Sequence, residues 1–242
     1  MAFSEKIVKL KQQALAKCKD YFARPDEIAE INTLKILDAM RKVKVSEAHF
    51  NTTSGYAYDD IGRGKLEELY AEVFKAEAAL VRTQFVSGTH ALATVLFGIL
   101  RPGDELIYIT GAPYDTMQTV IGYATDSPGS LKEFGILYDE VPLTAEGRVD
   151  FAAAKEKISA KTKMVVIQRS CGYMMRPTLS VDEIGEICRF VKDINPNCIC
   201  YVDNCYGEFT DTKEPIEAGA DIMAGSLIKN PGGGLAPTGG YI

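Results

Sequence analysis

Two helical patterns open the chain, and from about residue 79 onward short apolar runs alternate with amphipathic ones. Phe3, Ile7, Leu10, Ala14 and Leu15 recur at helical spacing and predict a helix over 3–20. Pro25, followed by Asp26 and Glu27, marks the start of a second over 25–43, because proline and acids suit a first turn. Residues 50–64 read as a polar, aromatic and glycine-rich loop, with a third helix over 65–76. Strands are predicted over 79–86, 105–110, 136–141, 163–168, 198–203, 221–228 and from 239 onward, with helices over 89–100, 151–158 and 181–194 between them. Short β-rich runs joined by helices predict an α/β fold. Its sheet is mostly parallel and seven-stranded, with helices on both faces and an N-terminal helical arm before it. The expected organisation is an arm and loop over 1–64, then a sheet domain over 65–242.

In such a sheet ligands collect beyond the carboxyl ends of the strands, and the notable polar residues gather there. Ser87-Gly88-Thr89-His90 joins a strand to a helix. Backbone N–H groups at a helix start, approached closely past a glycine, make a seat for an anion. The plainer reading is that Ser87 or Thr89 caps the helix. Tyr114 and Gln168 follow other strands, Asp203 ends another, and Lys229 lies just past Ile228. A lysine there is costly to desolvate, and burial lowers its pKa toward the neutral amine that attacks aldehydes. Ser226, three residues earlier, is placed to give its hydroxyl to the same anion, with ordinary backbone bonding as the alternative. Gly232 to Gly234 lack the spacing of a Walker loop and read as a pliable turn. An acid able to face a pyridine nitrogen and a lysine able to form a Schiff base suggest pyridoxal phosphate. On that reading Tyr206 reaches the ring's phenolic oxygen and Tyr114 stacks on the ring. The bland alternatives are a tyrosine packed under its loop and an aspartate capping its own turn.

Composition narrows the class without choosing the chemistry. The 242 residues carry 27 Lys and Arg against 33 Asp and Glu, a net charge of −6, and no long basic run. That balance argues against a nucleic-acid partner. No apolar run approaches the roughly eighteen residues of a spanning helix, and the charged first residues lack a signal-peptide core, so a cytoplasmic location is expected. The two histidines, His49 and His90, are widely separated, and no metal site is expected; His90 is either a satisfied helix residue or a neighbour of the ring. The six cysteines read as reduced packing residues, with Cys171 and Cys205 beside the site as the candidates for a role.

Several stretches, in order along the chain, carry a resemblance: 55–63 (GYAYDDIGR), 86–91 (VSGTHA), 113–116 (PYDT), 168–170 (QRS), 202–209 (VDNCYGEF) and the Lys229 segment. Together they resemble fold-type I pyridoxal phosphate enzymes of the Cys/Met metabolism branch, and within it the methionine gamma-lyase-like, aluminium resistance proteins. The resemblance implies that Lys229 holds the cofactor covalently and Asp203 pairs with its ring nitrogen. It implies that Gly88, Thr89 and Ser226 hold the phosphate, with Tyr114 over the ring. Gln168 and Arg169 are expected to face the pocket. Tyr58 and Arg63 match a tyrosine and an arginine that a neighbouring subunit contributes, with Tyr56 the other candidate for the tyrosine. A homo-oligomer with shared sites follows from that. The implied activity is a lyase acting on an amino acid, with sulfur-containing amino acids among the candidate substrates. Lys229 removes the α-proton, elimination follows, and Tyr114 assists a second proton transfer. An aminotransferase and a catalytically silent binding domain are the alternatives. Family members continue into a smaller C-terminal domain whose arginine grips the substrate carboxylate, so the chain reads as truncated before that domain.

Overall fold

Side-chain alternation along the central strands splits the core into two layers. In a computed structural model that describes residues 3–56, 58–124, 127–230 and 233–242, Leu106, Tyr108, Met164, Val166 and Tyr201 point to one face of the sheet. Ile107, Ile109, Val165, Ile167 and Val202 point to the other. All ten are buried on a strand period of two, the signature of a sheet covered on both sides.

The strands are β1 (Val81–Arg82), β2 (Glu105–Tyr108), β3 (Leu137–Glu140), β4 (Thr162–Gln168), β5 (Ile199–Asp203), β6 (Ile222–Ser226) and β7 (Gly240–Tyr241). They lie in the order β1-β7-β6-β5-β4-β2-β3. β2 to β6 run parallel, whereas β7 is antiparallel to both β6 and β1. The expected mostly parallel seven-stranded sheet is what forms. Helix α3 (Gly88–Ile99) and α4 (Asp115–Ile121) cover the first face through Leu92, Val95, Leu96, Met117 and Ile121. Helix α6 (Val181–Ile194) covers the second through Ile184, Ile187, Cys188 and Val191, with Phe74 of α2 (Ile61–Phe74) alongside. A shorter α5 (Phe151–Lys157) precedes β4. α6 starts on a capping box in which Ser180 and Glu183 satisfy each other's backbone N–H groups.

The N-terminal pattern resolves differently from the expectation. A single helix, α1 (Glu5–Lys42), runs through Pro25 instead of stopping before it. An interior proline removes one N–H donor and crowds the preceding turn, roughly 3 kcal/mol against the helix. The flanks are rich in Ala, Lys, Glu and Leu, and propagation through good helix formers on both sides offsets that local loss. The later part of α1 is tied down: Asn32 Nδ2 donates to the carbonyls of Phe209 (3.2 Å) and Asp211 (2.9 Å), and Lys35 Nζ to that of Thr212 (3.1 Å). The expected 50–64 loop holds over the described residues of 51–60, between a 3₁₀ turn, Glu47–Phe50, and α2, which starts at Ile61, earlier than expected, with Asp60 as its cap. Among the described residues no helix is long and apolar enough to cross a membrane.

Candidate active site

The carboxyl ends of β4, β5 and β6 open into a cavity of about 340 Å³, bounded on one side by the start of α3. Parallel register places Gln168 of β4 opposite Asp203 of β5, so two of the expected residues reach the cavity on neighbouring strands. Gly88, Thr89, Tyr114, Tyr206 and Lys229 line it as well.

Lys229 is half-buried, with Nζ 4.6 Å from the centre of the Tyr206 ring. Sequence reasoning expected burial to lower its pKa. Burial does pull it down, but Cys205, Tyr206 and Asp203 together outweigh that pull, and the amine titrates above its ordinary value. In this cavity it is therefore a cation at neutral pH. Tyr206 meets the lysine with its ring face, a cation–π arrangement, from a left-handed backbone position with φ of 69°.

Asp203 Oδ1 accepts the Cys205 N–H at 3.1 Å, so the acid caps its own turn while lining the cavity. Withdrawal from water pushes this carboxyl above its usual range, against the opposing pull of Cys205 and Lys229. Gln168 braces two loops, its Oε1 accepting the Tyr114 N–H at 3.1 Å and its Nε2 donating to Ser170 O at 3.1 Å. Burial raises the Tyr114 phenol, Asp115 and Tyr173 add to the rise, and Lys229 opposes it.

At the start of α3 the side chains divide their labour. Ser87 accepts the His90 N–H at 3.1 Å, so its hydroxyl is spent on the cap, and His90 Nδ1 in turn accepts the Val86 N–H at 3.3 Å. Thr89 Oγ1 pairs with Thr116 Oγ1 at 2.8 Å. Ser226 behaves otherwise: its Oγ is buried and has no hydrogen-bond partner among the described residues. It lies against Gly88, where a Cβ would come within 3.0 Å of Ser226 Cβ and 3.6 Å of both Ser226 Oγ and Cys205 Sγ. The glycine thus leaves the helix-start backbone bare toward an orphan hydroxyl.

Five expected residues do not line this cavity: Ser87 and Ser226, which stand beside Gly88, and Arg169, Tyr58 and Arg63. Arg169 follows Gln168 and, on the strand period of two, points to the opposite side. It is 2% exposed and bonds Asn204 Oδ1 at 2.9 Å, with Glu214 at 3.6 Å. The expectation that it faces the pocket is corrected. Tyr58 is 97% exposed, and Arg63 lines a separate groove beside Met40, Phe50 and Arg82. Of the glycine run, Gly233 and Gly234 lie in a turn, and Gly232 falls outside the described residues.

Sequence reasoning missed Tyr173, which lines the cavity at its exposed rim with its ring 6.0 Å from that of Tyr114. The available signal was Gly172 before it, which holds a φ of 58° and lies 3.4 Å, by its absent Cβ, from Gln168 Nε2. Cys205 also lines the cavity, whereas Cys188, Cys198 and Cys200 are core residues; all six cysteines are free. No cluster of metal-ligating side chains occurs among the described residues.

Comparison with known proteins follows the same lines. The Bacillus subtilis protein YnbB, itself uncharacterised, is 56% identical over 218 residues, which make up 90% of this chain and 52% of that protein. A Listeria innocua structure, provisionally named a cystathionine beta-lyase involved in aluminium resistance, superposes with a TM-score of 0.94 at 57% identity, covering 99% of this chain and 58% of that one. A Clostridium novyi carbon–sulfur lyase involved in aluminium resistance gives 0.92 at 48% identity, covering 98% and 57%. The chain therefore spans little more than half the length of these relatives. The profile of the family described as Methionine gamma-lyase matches residues 7–242, and the chain belongs to that family.

Proposed function

We propose that this chain carries the cofactor site of a pyridoxal-phosphate-dependent carbon–sulfur lyase acting on an amino acid. One observation supports this most: Lys229, Asp203 and the bare Gly88 backbone, with the unpartnered Ser226 hydroxyl against it, border a single cavity at the sheet's carboxyl edge. The donor set fits the cofactor. A buried hydroxyl without a partner beside helix-start amides suits a phosphate. An amine across the cavity suits an aldehyde, and an acid at a strand end suits a pyridine nitrogen. The names borne by the Listeria and Clostridium relatives favour carbon–sulfur bond cleavage over other reactions of such sites.

Pyridoxal phosphate, when bound, supplies an electron sink for the charge left by loss of an α-proton. The chain's own residues would do the rest. Gly88 and Thr89 offer backbone N–H groups to the phosphate and Ser226 its hydroxyl. Asp203 holds a proton on the ring nitrogen through its carboxylate. Lys229 Nζ would hold the aldehyde once it has lost its proton and, after a substrate amine takes its place, would accept the α-proton as general base. Tyr114, whose backbone N–H is held by Gln168 and whose phenol stays protonated, would pass a proton to a departing group. Tyr58 and Arg63, turned away from this cavity, would serve the site of a second copy, which makes the working unit a homo-oligomer.

The test is incubation with pyridoxal phosphate and sulfur-containing amino acids. A lyase releases thiol and ammonia with no acceptor present. Amino transfer that requires an added keto acid would replace the lyase with an aminotransferase. Bound cofactor that ignores every amino acid would reduce the chain to a binding domain.

A further inference from the structure

We propose that Glu208 is a positioning residue that fixes the Asp203–Lys229 pair by locking the turn after β5 to β7 and to the segment after Lys229. The inference rests on the reading that this pair receives pyridoxal phosphate. Glu208 is 1% exposed and lies outside the cavity. Its Oε1 accepts the Tyr241 hydroxyl at 2.6 Å, and its backbone carbonyl accepts Asn230 Nδ2 at 3.3 Å. One residue thus joins β5's turn to β7 and to the neighbour of Lys229.

The bond to Tyr241 passes over Gly225 of β6. A Cβ at that position would lie 2.6 Å from Glu208 Oε1 and nearer still to Tyr241 Oη. Any other residue at 225 would wedge the contact apart, so the bare backbone and the buried acid form one device. Asn204, next to Asp203, adds a bond from Nδ2 to Tyr241 Oη at 3.4 Å. The turn needs such restraint. Tyr206 and Phe209 sit at φ of 69° and 59°, conformations that non-glycine residues hold only when their surroundings fix them.

The groups facing Glu208 are mostly acids and phenols: Asp203, Glu214, Tyr70 and Tyr241, with the Arg169 charge directed at Glu214. Burial pushes the Glu208 carboxyl up to about 8; Tyr241 pulls the other way, and Glu214 and Asp203 add to the rise. An uncharged carboxyl can be replaced by an amide of the same shape, which separates position from charge.

The experiment compares the chain with its Glu208→Gln, Glu208→Leu and Tyr241→Phe variants. Pyridoxal phosphate affinity is read by absorbance titration, and hydrogen exchange of residues 203–209 is read in the cofactor-free protein. A lost buried hydrogen bond corresponds to about tenfold in a binding constant. Glu208→Gln should stay within about twofold of the parent, and Glu208→Leu and Tyr241→Phe should weaken binding by about tenfold with faster exchange over 203–209. Tyr241→Phe, which removes a single oxygen, carries the test if Glu208→Leu does not fold. Failure of the parent chain to bind pyridoxal phosphate overturns the reading beneath the inference. Binding by the parent that Tyr241→Phe leaves unchanged, with exchange unchanged, overturns the positioning role alone.

Discussion

Gly225 offers the sharpest stability test, because the cost of one methyl group can be worked from its surroundings. Gly225→Ala would place a Cβ 2.6 Å from Glu208 Oε1 and from Tyr241 Cε1, among groups buried at 1% exposure. Neither neighbour is the free end of a flexible side chain: Tyr241 is stacked on Phe74 at 5.5 Å, and Glu208 is bonded to Tyr241. Overpacking of a tight core costs about 1–3 kcal/mol, and losing the Glu208–Tyr241 hydrogen bond adds about 1 kcal/mol. The expected destabilisation is about 2–4 kcal/mol, or roughly 4–16 °C in Tm for a chain of this size. Urea unfolding followed by circular dichroism measures it. Gly98→Ala serves as the control. Gly98 lies exposed in α3 with nothing near its absent Cβ, so alanine there should stabilise by about 0.5–1 kcal/mol. A Gly225→Ala variant as stable as the parent would refute the close packing of Gly225, Glu208 and Tyr241.

Other perturbations probe separate parts of the account. Ser226→Ala removes a buried hydroxyl that has no partner, so the cofactor-free protein should gain about 1 kcal/mol in urea unfolding. The same variant should bind pyridoxal phosphate more weakly, which fluorescence or absorbance titration would detect. Arg169→Met strands Glu214, which is fully buried, and should cost about 3–5 kcal/mol of stability in the same unfolding assay. The pH profile has a defined sign. Because the Glu208 carboxyl rises from 4.5 to about 8, the folded state keeps a proton that the unfolded chain loses across that window. Stability from this group is therefore full below pH 4.5 and falls as pH climbs toward about 8. Thermal melts of Glu208→Gln should show a flatter decline over the same range.

The central sheet was legible because its strands are short runs bounded by glycine, proline and asparagine turns, and α6 matched the expected 181–194 to the residue. Edges were harder. The run over 79–86 keeps only Val81 and Arg82 as strand, since β1 pairs with β7 alone and only over those two residues. Helix α4 went unread because Thr116, Thr119, Val120 and Ile121 are weak helix formers, whereas the equally short α5 is rich in alanine and lysine. Pro25 was taken as a boundary, when sequence alone could not weigh one missing donor against a 38-residue helix. In the site, strand-end logic placed Gln168, Asp203 and Lys229 at one cavity, while the expectation for Arg169 overlooked the alternation that turns it away from the side Gln168 faces. The charge state of Lys229 was misread for a related reason: burial was visible in the apolar run, whereas the company of Asp203, Cys205 and Tyr206 appears only after folding.

The central claim is that Lys229 receives a pyridoxal aldehyde beside Asp203 and Ser226. Borohydride reduction of the protein mixed with pyridoxal phosphate, followed by proteolysis and mass spectrometry, tests it directly. The account predicts a phosphopyridoxyl group on Lys229 in high yield, and none on that peptide in Lys229→Ala. Label spread over surface lysines, with Lys229 unmodified, would contradict it.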